Sequence, residues 1–338
     1  MNSDYGENES LSKQVDGIVP NLIAYTTLGC LVIAVNLPFI LTIFLARNNR
    51  AKKEFVIIGG LAVSDCIYAL SYVWISIYRW FSYEEIRWVP RSFCLNQGFA
   101  QIYMYSYQTV GTLTLALAID RFIIVTRPIA YGRLGKRHFI IFFLVPTGMV
   151  FIGLVVNFIA TQPDHAPVSS LCVAYVSVVP AYMTYALCQR MTCVSLCAVI
   201  YPYVIFKIFQ HHGKMASVKA PGQASSHAMR KSTIAIGFST LNACCLILVP
   251  DILFTVGIMD DIPMIYACCS LLNSFINIFI YMAFHRELRV AMFRTLCFRR
   301  RGGTRGLMSS NSDHSHVFTL PKPTNISLRS STKKVRVI

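Results

Sequence analysis

Seven stretches of this chain are both long and apolar, and that pattern restricts the fold more than any other feature. They run over 20–46, 55–78, 94–126, 139–161, 176–208, 231–258 and 262–284. Each reaches the roughly 20 residues a helix needs to cross a hydrocarbon layer. No water satisfies backbone groups inside a bilayer, so runs of this kind cross as helices that bond internally. The predicted fold is an all-α membrane protein, a seven-transmembrane helix bundle. Composition agrees: 55% of residues are hydrophobic and only 14% charged, against about 25% charged in a soluble domain.

The third stretch is the most informative. From Gln101 it leads into the apolar run Gly111–Ile119, meets Asp120-Arg121, and passes through Phe122 to Arg127-Pro128 and Tyr131. An apolar helix with an ion pair at one end only is a membrane helix whose charged end lies at a water interface.

The net charge of +16 suggests nucleic acid at first sight, but the positives lie between and after the apolar runs. That is the pattern of a chain bound to a lipid bilayer, with no nucleic acid partner. Arg47, Arg50, Lys52 and Lys53 follow the first span. Arg127, Arg133, Lys136 and Arg137 follow the third, and Lys207, Lys214, Lys219 and Arg230 surround the fifth-to-sixth connection. The tail beyond Arg286 is basic throughout. The positive-inside rule places these loops in the cytoplasm and the N-terminus outside, as in a multi-pass plasma-membrane protein.

The expected division is an extracellular N-terminal arm over 1–19, a transmembrane domain over 20–284, an amphipathic helix over 285–297 and a disordered cytoplasmic tail over 298–338. The arm is polar and acidic, without the form of a cleavable signal peptide. It carries a glycosylation acceptor at Asn8. In the segment after 284, Leu288, Met292 and Leu296 share one face, as in a short helix lying in the interface, and Cys297 after it is a candidate for palmitoylation. Serines in the tail offer phosphorylation sites and hence a route to arrestin. The twelve cysteines show no zinc spacing, and most fall in apolar runs, so no metal site is expected. His211-His212 reads as a solvated pair at a helix end. Nothing pairs a nucleophile with a base or cradles a phosphate, so no enzymatic activity is expected.

Asp120-Arg121-Phe122 followed by Arg127-Pro128 and Tyr131 resembles the end of helix 3 in rhodopsin-like G protein-coupled receptors. The resemblance extends along the chain. Asn36 matches the helix-1 asparagine, Leu61-Ala62-x-x-Asp65 the helix-2 motif, and Pro202 and Pro250 the prolines of helices 5 and 6. Asn273-Ser274-x-x-Asn277 through Tyr281 resembles the helix-7 motif, and the segment after it helix 8. The tryptophan of helix 4, the tryptophan before the helix-6 proline and the helix-7 proline are missing; Ile278 stands in place of the last. This divergent pattern looks like that of the nematode serpentine chemoreceptors.

The resemblance implies a receptor for an extracellular ligand, a chemosensory small molecule or a peptide, that activates a heterotrimeric G protein. Asp120, Arg121, Phe122 and Tyr281 would then act in coupling. It also implies a Cys94–Cys172 disulfide, and a sodium ion as the only cofactor, in a polar core of Asn36, Asp65, Asn273, Ser274 and Asn277. On the residues alone, Asp65 is a carboxylate in mid-membrane that needs partners, and those four polar groups are available; structural glue between helices is an equal reading. Tyr103, Tyr107, Gln108, Arg190 and Asp251 are expected to line an outer ligand pocket, with Arg190 paired to Asp251. The rivals are a seven-helix ligand-gated channel, which the charge asymmetry disfavours, and a transporter, which the lack of an internal repeat disfavours.

Overall fold

A computed structural model describes residues 3–45, 53–82, 86–133, 136–215, 223–258, 263–286 and 288–293. Seven long helices account for most of them: α1 (Ser3–Leu45), α2 (Lys53–Ser82), α3 (Phe99–Thr126), α4 (Lys136–Thr161), α5 (Pro180–Met215), α6 and α7 (Pro263–Phe284). Helix α6 is made of Gln223–Ala243, a π-helical turn Cys244–Leu248, and Val249–Thr255. All seven contain apolar stretches long enough to cross a bilayer, from Val19–Leu45 to Met264–Phe284. Helix α1 extends well before its apolar part, whereas the hydropathy pattern marks only the portion that lipid would cover. The chain is a multi-pass membrane protein.

Helix α3 sits at the centre. Its side chains from Phe99 to Val125 are mostly buried, and it packs against α2, α4 and α5. Gly111 permits the close approach of α3 to α5, since a Cβ there would lie 3.1 Å from Cγ of Arg190. Helix α4 is peripheral: Ile141, Leu144, Met149, Ile152 and Ile159 are exposed, a surface that only lipid would cover. The π turn in α6 ends just before Pro250. Proline lacks an N–H and its ring crowds the carbonyl four residues back, so a widened turn relieves both problems.

At one end of the bundle the connections are ordered. Trp88–Pro90 pairs antiparallel with Pro167–Ser169, Val89 opposite Val168, two three-residue strands absent from the all-α expectation. The Cys94–Cys172 disulfide lies beside them. The hydroxyl of Tyr78 donates to the Ser170 carbonyl at 3.1 Å, and Nε of Arg79 to the Leu171 carbonyl at 3.0 Å, pinning the α4–α5 connection onto α2. Arg91 pairs with Asp164. The Asp164 carboxyl is held below its ordinary range, first by the backbone N–H of Ala166 and then by the Arg91 guanidinium. Beyond α7, residues 288–293 are helical. Leu288 is fully buried there and Met292 packs beside it, while Phe293 is exposed.

Candidate functional site

Three groups of side chains follow one another along the inside of the bundle. At the disulfide end lies a cavity of about 350 Å³. Tyr25, Tyr72, Tyr103, Tyr175, Phe254 and Tyr266 form much of its wall, drawn from α1, α2, α3, α6, α7 and the α4–α5 connection. The tyrosines of α2 and α3 recur four residues apart, Tyr68 and Tyr72 facing Tyr103 and Tyr107, because that spacing keeps side chains on one helix face. Tyr103 stacks on both Tyr68 and Tyr107, with ring centroids 5.7 and 5.8 Å away.

One turn deeper lies a buried charge pair. Arg190 donates from Nε to Oδ2 of Asp251 at 2.8 Å, and from Nη2 to Oδ1. Its guanidinium carbon lies 3.8 Å from the centre of the Tyr107 ring, a cation–π contact. The Tyr266 hydroxyl donates to Asp251 at 2.8 Å and accepts from Arg190 at 2.9 Å. That hydroxyl has only one proton, so in its 2.9 Å contact with Tyr107 it is the Tyr107 hydroxyl that donates. Nearby, Gln108 donates to the Tyr182 hydroxyl at 2.7 Å.

Of the five residues expected to line the pocket, only Tyr103 touches the cavity. Tyr107, Gln108, Arg190 and Asp251 are buried beneath it, each at most 1% exposed. The correction has a physical cause. Two opposite charges on facing helices satisfy each other and close the space between them, so they form a floor beneath the cavity.

Midway along the bundle, the Ser274 hydroxyl donates to Asp65 at 2.8 Å. Asn36 donates to the carbonyl of Val32 on its own helix. Asn273 and Asn277 meet a residue on α6 that motif matching did not reach: Nδ2 of Asn242 lies 3.0 Å from Oδ1 of Asn273 and 3.2 Å from Oδ1 of Asn277. Ser239 donates to Asn277 at 2.7 Å, and its hydroxyl lies 3.1 Å from that of Tyr281. The polar core thus divides. Asp65 and Ser274 join α2 to α7, and Ser239 and Asn242 join α6 to α7.

At the opposite end from the disulfide, Arg121 is fully buried, with Nε 3.6 Å from Oδ2 of Asp120. The Tyr131 hydroxyl donates to the other oxygen of Asp120 at 3.1 Å. Phe122 is half-exposed and its ring lies 5.5 Å from that of Tyr203 on α5. Asn8 falls on the helical backbone of α1, with its side chain outside those described; Cys297 lies outside the described residues.

Sequence comparison adds the lineage. A cannabinoid receptor type 1B from Takifugu rubripes is 26% identical over 313 residues, an alignment covering 84% of this chain. The chain spans 64% of that relative's length. Residues 28–296 match the model of the serpentine type 7TM GPCR chemoreceptor family Srsx. The match takes in most of the first span and all of the other six, the buried Arg190–Asp251 pair and the Asp120-Arg121 end. The chain belongs to the Srsx family of serpentine seven-transmembrane G protein-coupled receptor chemoreceptors.

Proposed function

We propose that this receptor binds a small extracellular ligand in the aromatic cavity beside the disulfide and passes the event through α6 to a heterotrimeric G protein at the Arg121 end. One observation carries the reading. Tyr266 is part of the cavity wall and also hydrogen-bonds both Arg190 and Asp251. A ligand that moves Tyr266 therefore acts on the pair that ties α5 to α6. Asp251 follows Pro250 and the π turn, where the α6 backbone is least regular and a kink changes most readily. Movement of α6 would loosen the Ser239 and Asn242 contacts to α7 and open the side of α3 that carries Arg121.

The orientation proposed has the N-terminus outside and the basic loops in the cytoplasm at the plasma membrane, following the Lys and Arg distribution. In the polar core, a sodium ion is proposed beside Asp65. The Asp65 carboxylate and Ser274 hydroxyl supply hard oxygen ligands. Oδ1 of Asn36, buried and without a hydrogen-bond partner among the described residues, is a third oxygen of the same kind. The ion would supply the positive charge that a buried carboxylate requires.

The test is nucleotide exchange by a panel of G proteins in membranes holding wild type or Arg121→Ala, with candidate extracts as the source of ligand. Exchange that requires both an extract and Arg121 supports the receptor reading. Ligand-evoked current in cells with confirmed surface expression, without exchange, would replace it with a ligand-gated channel.

A further inference from the structure

Among the described side chains around the cavity at the disulfide end, Arg79 is the only ionised one. It is partly buried at the end of α2. Its one side-chain hydrogen bond among the described residues runs from Nε to the Leu171 carbonyl. The described carboxylates lie elsewhere: Asp164 is taken by Arg91, Asp251 by Arg190 and Tyr266, Asp65 by Ser274, and Asp120 by Tyr131 beside Arg121. Arg79 thus forms part of the cavity wall with no described carboxylate paired to it. A guanidinium held in aromatic surroundings with no counter-charge is costly, and its planar fork of N–H donors matches a carboxylate or another oxyanion at two points.

We infer that the cavity selects anionic amphipathic ligands, small molecules with an aromatic or aliphatic body and one oxyanion group that pairs with Arg79. The inference rests on the proposed ligand role of the cavity. Three features point the same way. The volume of about 350 Å³ is near the lower end of ligand pockets, at about 300–1,000 Å³, so the ligand is small. The tyrosine and phenylalanine walls offer faces for an apolar body. No acidic side chain is described in the wall to hold an amine; the one carboxylate beneath it, Asp251, is fully buried and engaged. The Nε bond to Leu171 holds the guanidinium in place before a ligand arrives, which lowers the ordering cost of binding.

The test uses the purified full-length chain in lipid nanodiscs and follows its thermal stabilisation by small aryl acids: phenylpropanoate, phenylbutanoate and indole acetate. Each is compared with its primary amide and the corresponding amine. The acids are expected to stabilise the protein and their amides and amines to do so far less. Arg79→Gln should weaken the acids by on the order of 30-fold or more. Arg79→Lys keeps the charge but not the fork, and should fall between the two. Acids that bind Arg79→Gln as well as wild type, or amides and amines that bind as well as acids, would overturn the inference.

A second measurement decides the matter if none of these acids binds. With Cys268 and Cys269 replaced by serine and Ala267→Cys placed in the cavity wall, an anionic sulfonate thiol reagent and a cationic trimethylammonium reagent are compared. Arg79 should raise the anionic-to-cationic rate ratio by ~10-fold over Arg79→Gln, and equal ratios would overturn the inference. Neither readout involves a G protein. Anion binding without nucleotide exchange would leave the inference standing and remove the coupling reading.

Discussion

Arg190 and Asp251 form a buried two-point ion pair between α5 and α6, one residue beyond Pro250. The rhodopsin-like motif places a tryptophan just before the helix-6 proline, and this chain has Ile247, Leu248 and Val249 there. The part of α6 that would move is thus held by charge at a place where relatives of the motif rely on an aromatic ring. Removing one partner strands the other in a low-dielectric interior, at about 3–5 kcal/mol. Asp251→Asn and Arg190→Gln should each lower the melting temperature and surface expression sharply. The double variant should lose much less than the sum of the two, as expected of groups in direct contact. Additive losses would show that the pair is not coupled.

The Tyr266 hydroxyl joins that pair to the cavity wall and to Tyr107. Tyr266→Phe keeps the ring and its tilted contact with Phe254, 5.3 Å between centroids, and removes only the hydroxyl. The expected loss is about 1–3 kcal/mol, because Asp251, Arg190 and Tyr107 each lose a partner. Tyr107→Phe on its own should cost less, since it removes a single donor. In the double variant the Tyr107 effect should vanish. Melting temperatures of the four proteins check this; a Tyr107 effect that persists in the Tyr266→Phe background would place the Tyr107 hydroxyl in some other interaction.

The spans were legible because lipid demands about 20 apolar residues whatever the packing, and each expected segment has its helix. Arg190 and Asp251 were legible for the complementary reason: a charge in an apolar run needs a partner, and each was the other's best candidate. What hydropathy could not supply was direction. Tyr266 reads as one more aromatic in an apolar run, and only the packed helices show its hydroxyl turned toward Asp251. Arg79 reads as a loop-side charge at the end of a span, although it faces inward beneath Leu171. The spacing of Tyr68, Tyr72, Tyr103 and Tyr107 was the available signal for the aromatic cluster of which Tyr72 and Tyr103 reach the cavity wall. Ser239 and Asn242 had a signal too, as polar residues three apart on one span, but no motif drew attention to them.

Asn242 is the α6 counterpart of the Asn273–Asn277 face. Its amide reaches Oδ1 of both asparagines and the backbone carbonyl of Asn273 at 3.1 Å. Asn242→Leu removes these contacts between α6 and α7 while keeping volume. Asn277 retains its Ser239 donor, and Oδ1 of Asn273 loses the Asn242 donor. A loss of about 1–2 kcal/mol in stability is expected. Because the contact ties α6 to α7, ligand-independent nucleotide exchange should rise several-fold in the same membranes if the proposed movement of α6 is correct. A stability loss with basal exchange unchanged would mean that α6 does not have to leave α7.

The Asp120 carboxylate is shared between Arg121 and the Tyr131 hydroxyl, with Nε of Arg121 at 3.6 Å and the tyrosine at 3.1 Å. Tyr131 lies in the short helix Pro128–Arg133, so the contact ties the connection after α3 to the end of α3. Tyr131→Phe removes a donor from Asp120 but leaves the charge beside Arg121, and should change stability by about 1 kcal/mol. Asp120→Asn removes the charge beside Arg121, and should weaken the hold on its guanidinium. Basal exchange is therefore expected to rise clearly in Asp120→Asn and only slightly in Tyr131→Phe, with Arg121→Ala inactive in either background. If Tyr131→Phe activates as strongly as Asp120→Asn, the restraint on this end of the bundle comes from the position of the connection, and the charge on Asp120 is secondary.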